Sequence, residues 1–413
     1  MIDDMIASAI SRDVWAGRRS AGDILRRTLA RVARHEPQVA AFGHFDPARL
    51  DAEAAALSGR SPRGVLAGVP VAVDDVIATS DMPPVPGLRE PSGAEAACVA
   101  ALRRAGAVVV GKTRTGTGTG SGRAPRNPRD LDRSPGQPSG GSAAAVAAGM
   151  AAIGVATQHG GSAIGGASYC GIYGYMPSWG SVPADGLNGR SPTCNTVGFF
   201  ARSAEDFTLI ADVCRIDAAP CPGSIAGLRL GLCIDPPGAA DGDPAVGEGI
   251  RRGAARLRAA GAEIVEIGLP PLFDGLREAY RTIRAREGGI VGSFAAAARP
   301  SAGSARAAYQ LADACRAEFD LIQSGVDALL APSADREAPI GPEDPGAIAI
   351  NTIWALMQVP VVSVPGLCGP DGMPIGVSII CRRDEDRTAL AIAHLVGQRL
   401  RPKPTAAAEF CCA

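Results

Sequence analysis

The feature that most constrains this chain is an alternation of short β-branched runs with alanine-rich stretches from about residue 64 onward. The runs are VPVAV, AVVVG, IGVAT, RLGLCI, AEIVEI, DALLAP, VVSVP and IGVSII. Short continuous apolar runs are typical of strands buried on both faces, and the stretches between them have the composition of helices. The alternation therefore predicts an α/β protein with a largely parallel central sheet and helices on both faces.

The residues before this alternation have a helical pattern. Ser20 and Asp23 resemble a capping box, and the apolar positions after them have helical spacing. A further helix is predicted over residues 47–58. We therefore expect residues 1–60 to form helices packed on a core domain of residues 61–405. Two Gly/Pro/Ser-rich segments, 115–142 and 157–190, are predicted to be loops, and loops at strand ends hold the ligands in α/β folds.

The charge and cysteine content narrow the class of protein. There are 41 basic and 42 acidic residues and no basic block, so we expect neither a nucleic-acid nor a membrane partner. The 11 cysteines are scattered without a C-x-x-C pair, and the chain opens without a secretory signal, which predicts reduced thiols in the cytoplasm. The four histidines form no ligand-spaced cluster, so no metal site is expected.

One motif is misleading. Residues 106–113, GAVVVGKT, fit the phosphate-loop pattern GxxxxGK[ST]. Their central positions, AVVV, are strand-forming, and GTGTGSG follows where a phosphate loop needs a helix. We therefore predict an ordinary strand end, and we expect no nucleotide or other cofactor.

Several segments in order along residues 20–400 resemble the amidase signature family. They are GVPVAV (68–73), GKT (111–113), SPGQPSGGSAAAVAAGM (134–150), GGS (160–162), CGIYGY (170–175), DALLAPS (327–333), QVPVVSVPG (358–366) and DGMPIGVSII (371–380). The resemblance implies one α/β/α domain with a central mixed sheet, and hydrolysis or transfer at carboxamides. It also implies a Ser–Ser–Lys triad, in which a lysine and a relay serine activate a nucleophilic serine. Residues 215–325 fall in the family's variable substrate region.

The resemblance places the nucleophile at Ser162. It also implies an oxyanion hole formed by the backbone N–H groups of His159, Gly160, Gly161 and Ser162. Glycines there would let the chain approach a substrate oxygen closely. A structural alternative stays open, in which Ser162 is only the N-cap of a helix.

The basic half of the triad departs from the family pattern. Asp74 stands at the family's lysine position and Pro138 at its relay serine, while Ser139 matches the next serine, and the resemblance implies that it lines the pocket. The family's charged residues are also replaced at four positions near the site. These are Gln158, Ile164, Met176 and Asn195. We interpret the changes as relaxation of the chemistry with the fold retained.

Two side chains could replace the missing base. His159 has an imidazole suited to general-base work, but it could also face solvent or bond the backbone. Asp74 is predicted to point into the pocket near Pro138 with a raised pKa, as an acid, a base or an amine ligand, although it could be a solvated turn residue. Together with Ser162, these two residues could imitate a Ser–His–Asp arrangement.

Two functions follow from these residues. One is an enzyme acting on a small acyl or amide-like molecule, as a hydrolase or acyl transferase, with a homodimer as one possible assembly. The other is a pseudoenzyme that serves as a binding or scaffolding subunit. Asp74 and Pro138 together argue against a working Ser–Ser–Lys amidase, because triad members act as a unit. The resemblance also predicts a cis Gln137–Pro138 bond, since the family has a cis bond before its relay serine.

Overall fold

The computed structural model describes residues 5–83, 94–116, 123–158, 160–187, 191–237, 242–287, 299–346 and 349–400. The described strands form one eleven-stranded sheet in the order β1-β3-β2-β4-β6-β5-β10-β11-β9-β7-β8. Their bounds are β1 (Phe42–Phe45), β2 (Pro70–Asp74), β3 (Val108–Thr113), β4 (Ile153–Gln158), β5 (Tyr173–Met176), β6 (Thr196–Ala201), β7 (Arg229–Leu232), β8 (Glu263–Glu266), β9 (Ala328–Pro332), β10 (Val361–Cys368) and β11 (Pro374–Ile380).

Helices pack on this sheet. They are α1 (Ala7–Trp15), α2 (Ala21–Val39), α3 (Pro47–Leu57), α4 (Ala97–Arg104), α5 (Gly140–Ala147), α6 (Ser162–Cys170), α7 (Ala204–Val213), α8 (Pro244–Ala259), α9 (Leu276–Glu287), α10 (Ala302–Gln323), α11 (Thr352–Met357) and α12 (Asp386–Leu400). Short 3₁₀ turns occur at Pro271–Gly275 and Ala349–Asn351. No helix within the described ranges has both the length and the apolar character needed to cross a membrane.

The sequence predicted the existence of strands better than their direction. Each of the eight β-branched runs contains a strand, which confirms the α/β architecture, and GKT ends β3 as expected. The prediction of a largely parallel sheet is wrong, because six of the ten described strand pairings are antiparallel. Strand direction depends on the route of the connections, which apolar composition does not record.

Two regions contain elements that the sequence pattern missed. The first 60 residues are largely helical, and Ser20 caps α2 by accepting a hydrogen bond from Asp23 N at 3.0 Å. They also contribute β1, which pairs antiparallel with β3 at the edge of the sheet. The predicted loop 157–190 contains α6 and β5, because its glycines and small residues pack closely there instead of forming turns.

The core lies on both faces of the sheet. Val71 and Val73 of β2 belong to one apolar cluster, while Ala72 between them belongs to another. Successive strand residues point to opposite faces, so β2 is covered on both sides. This full burial explains the unbroken apolar composition of VPVAV, and it places the residue that ends the strand in an environment without water.

Candidate active site

Strand β2 ends at Asp74, whose carboxylate is completely buried. Its Oδ1 lies 2.7 Å from Ser142 Oγ and 3.3 Å from Thr113 Oγ1. Its Oδ2 accepts hydrogen bonds from Ser139 Oγ at 2.7 Å and from Thr157 N at 3.0 Å. Asp74 is therefore not the solvated turn residue of the alternative interpretation.

The surroundings of Asp74 change its acidity. Burial raises the pKa of Asp74 to about 7, and this effect outweighs the hydrogen bonds from Ser142, Ser139 and Thr157, which lower it. A carboxyl group with a pKa near the working pH can both take and return a proton, as a general base must. The raised pKa that the sequence analysis predicted for this residue is thus present.

Ser139 lies between Asp74 and Ser162. Its Oγ is 2.7 Å from Asp74 Oδ2 and 3.2 Å from Ser162 Oγ. In this structure Ser139 Oγ is placed to donate to Asp74 Oδ2 or to Ser162 Oγ, while the Ser162 hydroxyl donates to the Thr157 carbonyl oxygen. A hydroxyl carries one proton and two acceptor lone pairs, so Ser139 can donate to the carboxylate and accept from Ser162 once the Ser162 hydroxyl turns away from Thr157. Three side chains from β2, the start of α5 and the start of α6 therefore form one continuous polar chain. The sequence analysis placed Ser139 in the pocket and missed this bridging position.

Ser162 is the first residue of α6 and is completely buried. The N-cap of this helix is Gly161, and Ser162 Oγ instead donates to the Thr157 carbonyl oxygen at 2.8 Å. The alternative interpretation of Ser162 as a helix cap is therefore wrong. Gly160 and Gly161 have φ angles of 59° and 104°, which only glycine adopts readily, so the backbone turns sharply just before the serine.

Of two further predictions, at Pro138 and at His159, the structure tests only the first. The Gln137–Pro138 peptide bond is cis, as predicted. His159 lies outside the described residues, so its part in a Ser–His–Asp arrangement or in an oxyanion hole stays a prediction.

Lys112, the lysine of β3, points away from the chain formed by Asp74, Ser139 and Ser162. In the pairing of β2 with β3, Thr113 is opposite Asp74, and Lys112 is opposite Val73. Because side chains alternate along a strand, Lys112 points to the face away from Asp74. Lys403 lies outside the described residues. In the ranges that the structure describes, no group of three His, Cys, Asp or Glu side chains could hold a metal ion.

The region beside the start of α6 is neutral and buried. Gln158, Ile164, Met176 and Asn195 are all less than 5% exposed. Gln158 Oε1 accepts a hydrogen bond from Ala163 N at 2.7 Å. Ile164 and Met176 belong to one apolar cluster, so these two positions serve packing.

Comparisons with known proteins identify the family. The Amidase family profile matches residues 23–298. The chain is 30% identical to the A subunit of the glutamyl-tRNA(Gln) amidotransferase from Chloroflexus aggregans and 31% identical to its counterpart from Symbiobacterium thermophilum; each alignment covers 94% of this chain and 95% of the relative. A crystal structure of an amidase superposes with a TM-score of 0.84 at 28% identity, covering 96% of this chain and 100% of the other. The chain therefore belongs to the amidase signature family.

Proposed function

We propose that this protein is a repurposed amidase-family enzyme, a hydrolase or acyl transferase that acts on a small acyl or amide-like substrate. In the proposal, Ser162 is the nucleophile, Ser139 the proton relay and Asp74 the base, in place of a Ser–Ser–Lys triad. The observation that carries it is the position of Ser139 Oγ, within hydrogen-bond distance of both Asp74 Oδ2 and Ser162 Oγ.

The proposed reaction moves one proton along this chain. Ser162 turns its hydroxyl hydrogen from the Thr157 carbonyl towards Ser139, and its Oγ attacks the substrate carbonyl carbon. Ser139 takes that proton while passing its own to Asp74, so the carboxylate becomes neutral. Collapse of the tetrahedral intermediate breaks the bond to the leaving group, which receives the proton back through Ser139. Water or another nucleophile then releases the acyl group by the same path in reverse.

The burial of Asp74 suits the role of a base. A carboxylate with the ordinary pKa of 3.8 is a poor acceptor for a serine proton at neutral pH. A pKa of about 7 makes the Asp74 carboxylate a stronger base and a better acceptor. The 3.2 Å between Ser139 and Ser162 is longer than the most common O–H···O distance of about 2.7–2.8 Å. Such contacts often shorten only when a substrate is bound.

A second candidate is a pseudoenzyme that binds without catalysis. One observation favours it: Asp74, Ser139 and Ser162 are all completely buried. Under this candidate the hydroxyl chain only satisfies a buried carboxylate. The names of the two relatives, both subunits of amidotransferases, are compatible with an assembly role.

Labelling by a fluorophosphonate probe tests the proposal. The probe forms a covalent adduct with an activated serine, and intact-protein mass spectrometry measures its rate. We expect wild-type protein to be labelled at Ser162, with a rate that rises as Asp74 ionises through about pH 7. We expect Ser139→Ala to lower the rate about 100-fold, because general base catalysis is worth about 10²–10⁴.

Ser142→Ala is the matched control. Ser142 is bonded to the same carboxylate at 2.7 Å but touches Asp74 Oδ1, on the side away from the relay. Its loss should change the labelling rate less than fivefold. Equal losses in the two variants would show that both hydroxyls only support the carboxylate. Absence of any adduct on the folded wild-type protein would favour the pseudoenzyme.

A further inference from the structure

A tyrosine of α9 packs against the glycine turn, Gly160 and Gly161, that precedes the proposed nucleophile. The position that a Cβ atom on Gly160 would occupy lies 3.4 Å from Tyr280 Oη and 3.9 Å from Tyr280 Cε1. Tyr280 is 4% exposed, and it shares an apolar cluster with Ile164 of α6. Its phenol group therefore faces, from inside the protein, the short stretch of backbone between β4 and Ser162.

Two helices cover the glycine turn on this side. Helix α9 contributes Tyr280, and α11 contributes Thr352, whose Cγ2 lies 3.6 Å from the same Cβ position on Gly160. Both side chains are buried. An oxygen atom bound at this turn is thus shielded from water, and a hydrogen bond to it is stronger there than in solvent.

The Tyr280 hydroxyl keeps its proton and lacks a good acceptor. Its Oη makes no hydrogen bond of standard geometry with any residue in the described ranges. Burial raises the pKa of Tyr280 to about 12, although the Arg284 guanidinium, 5.7 Å from the ring centroid, and the Gly160 N–H both lower it. The group is therefore a neutral donor at physiological pH. Because a buried hydroxyl without an acceptor is costly, an oxygen that enters beside Gly160 would gain a hydrogen bond.

We propose that the Tyr280 hydroxyl donates a hydrogen bond to the oxyanion that forms when Ser162 attacks its substrate, beside the backbone N–H groups of the glycine turn. This inference rests on the proposed function, in which Ser162 is the nucleophile. It adds a catalytic residue outside the polar chain from Asp74. Tyr280 falls within residues 215–325, the variable region of the family resemblance, so no sequence motif pointed to it.

The hydroxyl stabilises charge and does not transfer its proton. The proton that leaves Ser162 passes through Ser139 to Asp74 and returns by the same path, so Tyr280 stays neutral throughout. The substrate oxygen becomes negative only as the attacked atom gains its new bond. A hydrogen bond to a charged acceptor is about twice as strong as one to a neutral acceptor. The contribution of Tyr280 is therefore larger in the transition state than in the bound substrate, as catalysis requires.

Tyr280→Phe removes the hydroxyl and retains the ring. In the fluorophosphonate reaction, Ser162 Oγ bonds to phosphorus, the P–F bond breaks, fluoride leaves, and a phosphoryl oxygen gains negative charge in the transition state. We expect the maximal labelling rate to fall about 100-fold, because the loss of one oxyanion donor costs about 10²–10³. The probe concentration that gives half the maximal rate should change less than about threefold, because the hydroxyl acts mainly in the transition state.

Tyr309→Phe is the matched control. It removes a phenol hydroxyl from α10 that donates to Glu287 at 2.7 Å, and the maximal labelling rate should stay within about twofold of the wild type. Arg284→Met removes the cation beside the Tyr280 ring, which weakens the phenol as a donor, and should lower the rate about fivefold. Circular dichroism checks the folding of each variant. If Tyr280→Phe does not fold, an unchanged rate in Arg284→Met overturns the proposal.

The outcomes separate this inference from the proposed function. An unchanged maximal rate in Tyr280→Phe, with labelling of Ser162 that still depends on Ser139, would overturn only the role of Tyr280. A faster rate would also overturn it, because the hydroxyl would then block the position of the oxyanion. Equal losses in Tyr280→Phe and Tyr309→Phe would show that both hydroxyls only support the fold. Labelling that depends on Tyr280 but not on Ser139 or Asp74 would keep this inference and overturn the relay. Absence of labelling in the folded wild type would overturn both.

Discussion

Two carboxylates adjacent in sequence, Asp74 and Asp75, have different environments. Both are buried, and burial raises the pKa of each. The nearest groups to Asp74 are neutral donors, namely three hydroxyls and one backbone N–H. Asp75 is bonded to Thr115, at 2.6 Å through Oγ1, and the charges of Lys112 and Arg114 lower its pKa.

The comparison shows how one strand end can hold two buried acids in different surroundings. The two hydrogen bonds from Thr115 and the nearby cations favour the ionised form of Asp75, although burial still raises its pKa overall. Hydrogen bonds from neutral donors offset only part of the desolvation of the Asp74 carboxylate. Its pKa therefore stays raised, and the group gains and loses its proton near neutral pH. In the proposed mechanism Asp74 is the base, and it is the residue of the two that touches Ser139.

Exchange of each acid for its amide tests this contrast most strongly. We expect Asp74→Asn to lower fluorophosphonate labelling of Ser162 about 1,000-fold, because the base is removed while the shape is retained. Asp75→Asn should keep the rate within about threefold. Rates are measured by mass spectrometry on samples whose folding is checked by circular dichroism. Similar losses in both variants would mean that Asp74 acts through the fold alone.

The second test is the pH dependence of the free energy of unfolding. The pKa of Asp74 is raised in the folded protein, so the unfolded chain releases this proton first, and its contribution to stability falls as pH rises from about 4 to about 7. Relative to Asp74→Asn, the free energy of unfolding of the wild type should fall by about 2–3 kcal/mol between pH 5 and pH 8. Urea denaturation at several pH values measures this. A difference in the free energy of unfolding between wild type and Asp74→Asn that stays constant or rises with pH would contradict the raised pKa of Asp74.

The smallest expected effect concerns Asp75, the acid that does not touch Ser139. Thr115→Val removes the hydroxyl that donates to Asp75 Oδ1 and should lower the free energy of unfolding by about 1–2 kcal/mol. Labelling of Ser162 should stay at the wild-type rate, because Thr115 donates to Asp75 through both its hydroxyl and its backbone N–H and not to Asp74. Urea denaturation at pH 7 and the labelling assay measure the two quantities. A slower labelling rate would show that the two acids are coupled.

Much of the fold could be predicted because strand signals are local. A run such as VPVAV contains its own preference for a buried strand, and all eight runs of this kind became strands. Strands β5 and β6, YGYM and TVGFFA, were missed because glycine and loop-like neighbours hide their pattern. The cis Gln137–Pro138 bond followed from one motif and was predicted correctly.

By itself, the sequence determined the α/β class, the family resemblance and the identities of Asp74, Pro138 and Ser162 at the site. Only the tertiary structure decided that Ser139 joins Asp74 to Ser162, and that most strand pairs are antiparallel. Ser139 is 65 positions from Asp74 and 23 from Ser162, so no local pattern relates the three. The pairing of β2 with β4, which sets Val73 opposite Val155, brings Asp74 to Thr157 and then to the start of α6. Contacts of this kind depend on sheet register and helix position, which are properties of the whole packed chain.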